Sequence, residues 1–452
     1  MPLFRRPRRP RRALRRSRPG SARLRLLRRT RPGRSHPAGP FRRTRADRPR
    51  LGPAFTRLWW ASALTNLGDG ALAAAGPLLV ASLSSSPVAV ASAAAAQLLP
   101  HLLFSPASGA LVDRWPRRSV LLAANLARCT VLALLAAALL SGGTSVWPLY
   151  PALFALGVGE SLADTAYGSL VPSVVHRDSL GRANARLALT FSLNNQLLGP
   201  PLGALMFAMA WALPFGFDAL AHLLAVAVLL RMAPVRPSPP DGSRPDSPPP
   251  PRTTLRQEVG EGLSFVLGSP GLRVLCGCIL VMNLAGVGAF AVWVLYAREH
   301  LGLSEAGFGL FVAAGAVGGI AGSRVYGRLE RRVGRTSLLR WGLAVEALTY
   351  LALALTANPL AAGAVMVLFG VHTVVWGTAA TTVRQLLTPD RLLGRVGGVY
   401  RLADLGGAAL GAVLGGLVAE GVGLLAPFWL AAAAVGLLCV ISWKPLVITE
   451  QL

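Results

Sequence analysis

The sequence predicts an all-α integral membrane protein with about twelve transmembrane helices in two six-helix halves, and three observations support this prediction. First, the chain of 452 residues is 53% hydrophobic and only 14% charged, which leaves few polar residues to cover a water-soluble surface. Second, apolar runs of roughly 18 to 25 residues follow one another from Phe55 onward, and a helix of this length crosses a hydrocarbon core of about 30 Å. Third, the two halves of the chain resemble each other at a separation of about 213 residues.

The apolar runs give the predicted spans in chain order. They cover residues 57–83, 88–111, 119–140, 147–174, 188–211, 214–231, 273–297, 306–327, 337–356, 360–386, 397–420 and 424–443. Arginines gather in the loops after the second, fourth, eighth and tenth runs. Because short cytoplasmic loops are rich in Lys and Arg, we expect a multi-pass protein of the bacterial inner membrane with both termini in the cytoplasm.

Composition divides the chain into five predicted regions. A proline-dense stretch between Arg231 and Thr253 has nothing to bury and separates six spans from six. The regions are a basic tail at 1–50, a six-helix bundle at 51–231, a cytoplasmic linker with a surface helix at 232–270, a second bundle at 271–445 and a cytoplasmic tail at 446–452. In transporters built from such repeats, the substrate site lies where the repeats meet near the membrane midplane.

The first fifty residues contain twenty arginines and one acid, Asp47, and are expected to be a disordered cytoplasmic tail. Two interpretations stay open. The tail could contact anionic membrane lipids, at about 1 kcal/mol per arginine near the surface, or translation could in fact start nearer Leu51. Nucleic-acid binding is not expected, because neither a folded reader nor interleaved aromatic residues accompany the charge. A signal peptide is not expected either, since no short apolar core follows the basic stretch.

The sequence lacks the common motifs of ATP-driven, hydrolytic and dinucleotide-dependent chemistry. The single lysine, Lys444, leaves no place for a P-loop, and no HExxH, GxSxG or strand-bound GxGxxG motif is present. We therefore predict that the protein is not an enzyme, needs no cofactor and uses a proton gradient as its energy source. Its four cysteines lie inside apolar runs, so neither a disulfide framework nor a metal site is predicted.

The segment GALVDRWPRRSV, residues 109–120, resembles the loop signature of the major facilitator superfamily. Further stretches, RLWWASALTNLGDG in the first span, LVPSVVHRDSLGRANAR after the fourth and GPPLG in the fifth, are similar to the enterobactin-exporter and macrolide-efflux branch of drug:proton antiporters. The resemblance covers nearly all of the chain after residue 50. It implies the major facilitator fold, in which two six-helix bundles move against each other around a central cavity.

The resemblance also implies roles for two motifs. The first would be a gating motif at the cytoplasmic rim, although its arginines could merely enforce topology. Its residues are Gly109, Asp113, Arg114, Arg117 and Arg118. The second, Gly199, Pro200 and Gly203 in the fifth span, resembles an antiporter motif, although its proline could simply kink the helix.

Ionisable residues in the middle of a span cost roughly 2.5 to 3.5 kcal/mol each on insertion scales, so they are candidates for function by default. The predicted proton or substrate site combines such residues with one neutral hydrogen-bonding residue of the first span. Its members are Asp69, Glu160, Asp164, Arg128 and Asn66. Arg128 would be the charge partner of the acids. The alternative is a buried ion pair that only orients helices.

Other polar residues rank lower as functional candidates. Asp218 and His222 share a face near the outer end of the sixth span; a protonation role is one interpretation, but a local pair or contact with solvent at the rim is favoured. Glu346 lies in the ninth span, which is peripheral in the superfamily. Arg401 and Asp404 are expected to form a local bridge near the cytoplasmic rim.

The sequence thus predicts a secondary active transporter that exports a drug-like compound, siderophore or secondary metabolite in exchange for protons, by alternating access. Its expected partners are a small-molecule substrate, protons and membrane lipids, with no nucleic acid. Two alternatives remain: a proton-coupled importer built from the same helices, and a membrane sensor or interaction protein that does not transport.

Overall fold

Helices form all the regular secondary structure in the described part of the chain, which comprises residues 51–142, 145–233, 255–444 and 446 of this computed structural model. The helices are α1 (Gly52–Leu83), α2 (Pro87–Arg114), α3 (Arg117–Leu140), α4 (Leu149–Val174), α5 (Leu180–Thr190), α6 (Gly199–Met209), α7 (Leu213–Leu230), α8 (Leu255–Gly268), α9 (Pro270–Phe290), α10 (Trp293–Leu295), α11 (Glu305–Leu355), α12 (Pro359–Leu387), α13 (Leu393–Val422) and α14 (Ala426–Ser442). The predicted basic tail at 1–50, and all but one residue of the predicted C-terminal tail, lie outside the described residues.

Some of these helices combine into longer membrane-length segments. A π-helical stretch, Phe191–Leu198, joins α5 to α6, and a second one, Tyr296–His300, extends α9 and α10. In contrast, α11 contains two spans that meet at Gly334, whose φ of 76° and ψ of 161° interrupt the helix. Counted in this way, the described residues form twelve membrane-length segments, one for each predicted run, and the predicted helical membrane fold is confirmed.

Length and hydropathy alone identify fewer spans than the packing does. Eight described helices are long and apolar enough to cross a membrane, and α14 is a shorter apolar helix. The fifth predicted run also begins too late, because the helical segment already starts at Leu180. Its first turns, LGRANAR, are polar, so an apolar window starts only after them.

The parts of the chain before and after residues 234–254 are referred to below as the first and second halves. In the first half, α1 packs against α6 and α7, α2 against α4, and α3 against α4 and α7. In the second half, α9 packs against α13 and α14. Helix α11 packs against both α12 and α14. Among the described residues, the halves meet most extensively through α2 with α13 and α6 with α11, and α1 also contacts α10 and α11.

The two ends of the helices differ in how the halves contact each other. The arginine-poor end carries the loops around residues 84–86, 210–212, 301–304 and 423–425, and here Glu420 of α13 accepts hydrogen bonds from Ser86 Oγ at 2.5 Å and from the Val88 N–H at 3.1 Å. At the opposite, arginine-rich end, one buried cluster around Phe55 and Leu229 belongs to the first half alone, and another around Val266 and Val396 to the second half alone. Among the described residues, the halves are therefore joined at the arginine-poor end and packed separately at the arginine-rich end.

The predicted surface helix is present as α8. Glu261 on α8 forms an ion pair with Arg391 at 3.4 Å and a second one with Arg395, which fixes α8 to the start of α13. Gly262 and Val266 are buried against the bundle, one turn apart on α8, whereas Val259 and Leu263 are exposed. The helix is thus amphipathic, with one face on the bundle and one apolar face free, as expected for a helix at a membrane surface.

The antiporter-like motif brings two helix backbones into contact. A Cβ atom on Gly203 would overlap the backbone of Ala71 on α1, and a Cβ on Gly199 would overlap Gly70. Both glycines are buried. The motif therefore packs α6 directly against the stretch of α1 that follows Asp69, as small residues do in membrane helix interfaces.

Gly203→Ala is expected to lower the stability of the folded protein by roughly 1 to 3 kcal/mol, because the new methyl group meets backbone that cannot move aside. Gly216→Ala on α7 is the matched control, since a Cβ there has nothing within 4 Å. Thermal unfolding of both purified variants tests this expectation. Equal melting temperatures for the two would contradict the close approach of α1 and α6.

Candidate functional site

Two charged side chains meet in the interior of the first half. Arg128 of α3 places Nη2 2.5 Å from Asp69 Oδ1 on α1, and its Nη1 lies 3.4 Å from Asp69 Oδ2. The Arg128 side chain is 5% exposed and that of Asp69 is 16% exposed. Gly159 of α4 leaves the space that the Arg128 stem occupies, since a Cβ there would lie 2.6 Å from Arg128 Cγ. The prediction that Arg128 partners an acid agrees with this ion pair.

Asp218 and His222 of α7 join the same ion pair. His222 Nε2 lies 3.5 Å from Asp69 Oδ1 and 3.5 Å from Asp218 Oδ1, and both α7 side chains are completely buried. Gly68 permits this approach, because any Cβ there would overlap the Asp218 carboxyl group. Neither residue meets solvent at the rim, contrary to one of the interpretations of the sequence. We call Asp69, Arg128, Asp218 and His222 the polar cluster.

A hydrogen bond determines which nitrogen of His222 faces the acids. Asn125 Nδ2 donates to Leu121 O at 2.7 Å, which orients the amide so that its Oδ1 accepts from His222 Nδ1 at 2.9 Å. In a neutral imidazole the other nitrogen, Nε2, then carries a lone pair. This lone pair would face two carboxyl oxygens, and Asp218 has no hydrogen-bond partner among the described residues. The polar cluster is therefore short of a proton between His222 Nε2 and the two acids.

The same three residues could also serve as metal ligands. Potential ligand atoms of Asp69, Asp218 and His222 lie within 4.8 Å of one another. The Arg128 guanidinium, however, already binds Asp69, and its positive charge opposes a second cation at this position. The donor set thus fits a proton better than a metal ion.

The remaining predicted site residues occupy different surroundings. Glu160 of α4 is half-buried and is an electrostatic neighbour of Arg128, whereas Asp164, one turn further along, is exposed. The charged neighbours of Asp164 include His101 on α2 and Arg128. Asn66 bonds to Ser62 of its own helix, at 2.7 Å to the carbonyl oxygen, so it supports α1 locally.

The gating motif residues with described side chains bind helix ends. Arg117 Nη1 donates to Ser169 O near the end of α4, at 3.0 Å. Arg118 donates from Nε to Leu229 O at 3.0 Å and from Nη2 to Leu230 O at 2.9 Å, at the end of α7. Such carbonyl groups at a helix C-terminus attract cations. Arg114 is exposed, and the surroundings of Gly109 and of the Asp113 side chain lie outside the described part of the structure.

The second half contains a polar group that the sequence did not single out as a site. Glu346 of α11 accepts hydrogen bonds from Tyr350 Oη at 2.9 Å and from His372 Nε2 of α12 at 3.1 Å. Nearby, Asp404 accepts from Asn283 Nδ2 at 2.8 Å. A local bridge of Asp404 with Arg401 was expected from the sequence, but the hydrogen bond instead connects α13 to α9. The sequence contained one signal for the polar group around Glu346: Tyr350 follows it by four residues and therefore lies on the same helix face.

A cavity of about 330 Å³ lies between the halves. First-half residues on its wall include Asn195, Gln196 and Pro200, and second-half residues include Phe369 and Thr373. A small molecule in this position would contact both halves at once, as alternating access requires.

The sequence matches a known family over residues 48–447, the major facilitator family described as transmembrane secretion effector. The chain belongs to this family. It is 30% identical over 324 residues to the enterobactin exporter EntS of Escherichia coli O1:K1 / APEC. The aligned region covers 68% of this chain and 72% of that protein. The similarity to the enterobactin exporter EntS of Shigella boydii serotype 18 (strain CDC 3083-94 / BS512) is 29% over 323 residues, with the same coverage.

Solved structures share the fold. The nucleoside transporter NupG superposes with a TM-score of 0.69 at 10% identity and covers 88% of this chain and 99% of its own. A bacterial homologue of the iron transporter ferroportin in the inward-facing state gives a TM-score of 0.65 at 20% identity, covering 86% and 98%. The family match and the curated relatives make the protein a multi-pass efflux transporter of the major facilitator superfamily, and the prediction that it is not an enzyme is confirmed.

Proposed function

We propose that this transporter exports a small molecule of the siderophore, drug-like or secondary-metabolite class across the bacterial inner membrane in exchange for protons. The curated relatives named enterobactin exporter support the direction of transport and the size of the cargo. In this proposal the arginine-rich end faces the cytoplasm, because short cytoplasmic loops are rich in arginine. Both chain termini then lie in the cytoplasm as well. The protein is then inward-facing, with its halves closed at the outer end.

The polar cluster carries the proposal of proton coupling. His222 Nε2 stands between Asp69 and Asp218 with room for a proton, and Asp69 is the member with access to solvent. A proton that reaches Asp69 neutralises it and weakens its hold on Arg128, which then turns to Glu160 or Asp164. Because Arg128 bridges α1, α3 and α4, its change of partner alters the packing of the first half.

The energy available from one proton is sufficient for export. One proton that enters down about 100 mV supplies roughly 2.3 kcal/mol, and each pH unit adds about 1.4 kcal/mol. Together these sustain a gradient of a few hundredfold for a cargo without net charge, since about 1.4 kcal/mol corresponds to a factor of ten. Alternating access then consists of opening the contacts at the arginine-poor end, such as Glu420 with Ser86, while the arginine-rich ends close.

Transport into inside-out membrane vesicles tests the function and its direction. Vesicles that contain the protein are loaded with acid in the lumen and offered a panel of compounds that includes enterobactin and fluorescent lipophilic dyes. We expect at least one compound to accumulate in the lumen, and the accumulation to disappear when nigericin collapses the pH gradient. Vesicles without the protein serve as the control.

Each other outcome contradicts the proposal in a distinguishable way. Acid-driven loss of a preloaded compound from the lumen would indicate an importer. Accumulation that survives nigericin would refute proton coupling while leaving export intact. If the vesicles move no compound of a broad panel, the non-transporting sensor becomes the better interpretation.

A further inference from the structure

The second half contains its own cavity, whose wall includes no residue of the polar cluster. Its volume is about 440 Å³, and it lies between α9, α11, α12 and α13. Five aromatic side chains form much of its wall: Phe290, Tyr350, Phe369, Trp376 and Tyr400. Two carboxylates, Glu346 and Asp404, also line it. We call it the C-half cavity.

The Glu346 carboxylate is fixed at the wall of the C-half cavity. Its side chain is only 5% exposed, and it is held by the hydroxyl group of Tyr350 and by His372 Nε2. Trp376 is fixed as well, because its Nε1 donates to Leu339 O at 3.2 Å. The carboxylate and the indole ring are therefore presented in a rigid arrangement, as a preorganised binding site requires.

The charges around the C-half cavity are not balanced. Asp404 has Arg384 and Arg401 as positively charged neighbours, and Arg384 lies 4.5 Å from the centre of the Tyr400 ring. Among the described residues, the ion-pair partner of Glu346 is His372, and this partner is positively charged only when its imidazole is protonated. Among the described residues that line the cavity, none is an arginine or a lysine. The described lining of the cavity thus presents negative charge and aromatic faces, and the nearby arginines, Arg384 and Arg401, are not among the residues that line it.

The C-half cavity is adjacent to the space between the halves. Phe369 and Thr373 line both this cavity and the cavity of about 330 Å³ between the halves. Phe290 also faces a third cavity, of about 220 Å³, whose wall contains residues of both halves. A ligand can therefore place one part in the C-half cavity and another part against the first half.

We propose that the C-half cavity binds the cationic group of the cargo, an organic ammonium or another lipophilic cation. The aromatic rings attract such a group by cation–π interaction, and Glu346 supplies the counter-charge inside the membrane. Anionic compounds of the same shape are excluded by the same carboxylate. This inference rests on the proposed export of a small molecule and assigns its recognition to the second half, separate from the polar cluster of the first.

Binding of two ions of equal shape and opposite charge tests the proposal. The purified full-length protein in detergent is titrated with radiolabelled tetraphenylphosphonium and with tetraphenylborate, and binding is measured by equilibrium dialysis against protein-free micelles. We expect saturable binding of the phosphonium ion alone. Glu346→Gln should weaken this binding by about tenfold or more, because it removes the buried counter-charge. Glu299→Gln, at an exposed carboxylate outside the cavity, should bind like the wild type.

The wild-type comparison keeps the test decisive even if Glu346→Gln folds poorly. Equal binding of the two ions, or no binding of the phosphonium ion, would overturn the proposal. Undiminished binding by a folded Glu346→Gln variant would also overturn it. Acid-driven export of some compound in vesicles, combined with either of these results, would refute only the cationic site and leave the proposed function standing.

Discussion

Replacing Arg128 with glutamine is expected to destabilise the protein by roughly 3 to 5 kcal/mol, the largest effect that we predict for a single substitution. The guanidinium is the nearest positive charge to Asp69, and its removal leaves that carboxylate buried beside Asp218 without a cation. Thermal unfolding of the detergent-solubilised protein, followed by tryptophan fluorescence, measures the change. Arg57→Gln, at an exposed position on α1, is the control and should melt like the wild type.

A double substitution separates the structural role of the ion pair from its role in transport. Asp69→Asn combined with Arg128→Gln removes both charges, so most of the lost stability should return. Acid-driven export should nevertheless stay at the level of vesicles without the protein, because the exchangeable proton site is gone. A double variant that melts no better than Arg128→Gln alone would show that the ion pair is not the source of the stability.

Asp218→Asn is expected to abolish acid-driven export while changing stability by less than about 1 kcal/mol. The Asp218 carboxyl accepts no hydrogen bond among the described residues, so an amide of the same shape loses no bond there. Asp69→Asn should behave differently, since it removes the ion pair that holds Arg128 against α1 and therefore lowers stability as well as abolishing export. Export into inside-out vesicles and thermal unfolding, measured on both variants, check this contrast. Strong destabilisation by Asp218→Asn would indicate that this acid is ionised and paired.

The fold was predictable from the sequence because its causes are local. A run of apolar residues must be helical in lipid, and its length decides whether it spans. The boundaries were less predictable where a helix leaves the membrane. Leu180 begins a helix whose first turns are polar, and Gly334 alone separates two spans within α11.

The candidate site was only partly predictable, because it depends on which helices pack together. Asp69 and Arg128 were recognisable as charges in mid-span, and the structure pairs them. The inclusion of Asp218 and His222 follows from the packing of α7 against α1 and α3, which no spacing within one helix records. In the second half, the partner of Glu346 is His372 on another helix, so their hydrogen bond was equally invisible in the sequence.

The separation of the polar cluster from the C-half cavity has a consequence for mechanism. Proton binding would occur among α1, α3 and α7, and recognition of a cationic cargo among α9, α11, α12 and α13. The two sites lie in different halves, so they would communicate through the contacts of α2 with α13 and of α6 with α11. Exchange of proton for cargo would then need no direct contact between the two.

The central claim, that the polar cluster exchanges protons for cargo, is tested most directly by proton movement in proteoliposomes. A pH-sensitive dye in the lumen records protons while a compound that the vesicle assay identifies as cargo is supplied as a gradient. For the wild type and for Glu299→Gln, we predict proton movement opposite in direction to the cargo, and none for Asp218→Asn. Cargo movement without any proton signal, or a wild-type proton signal from Asp218→Asn, would contradict the account.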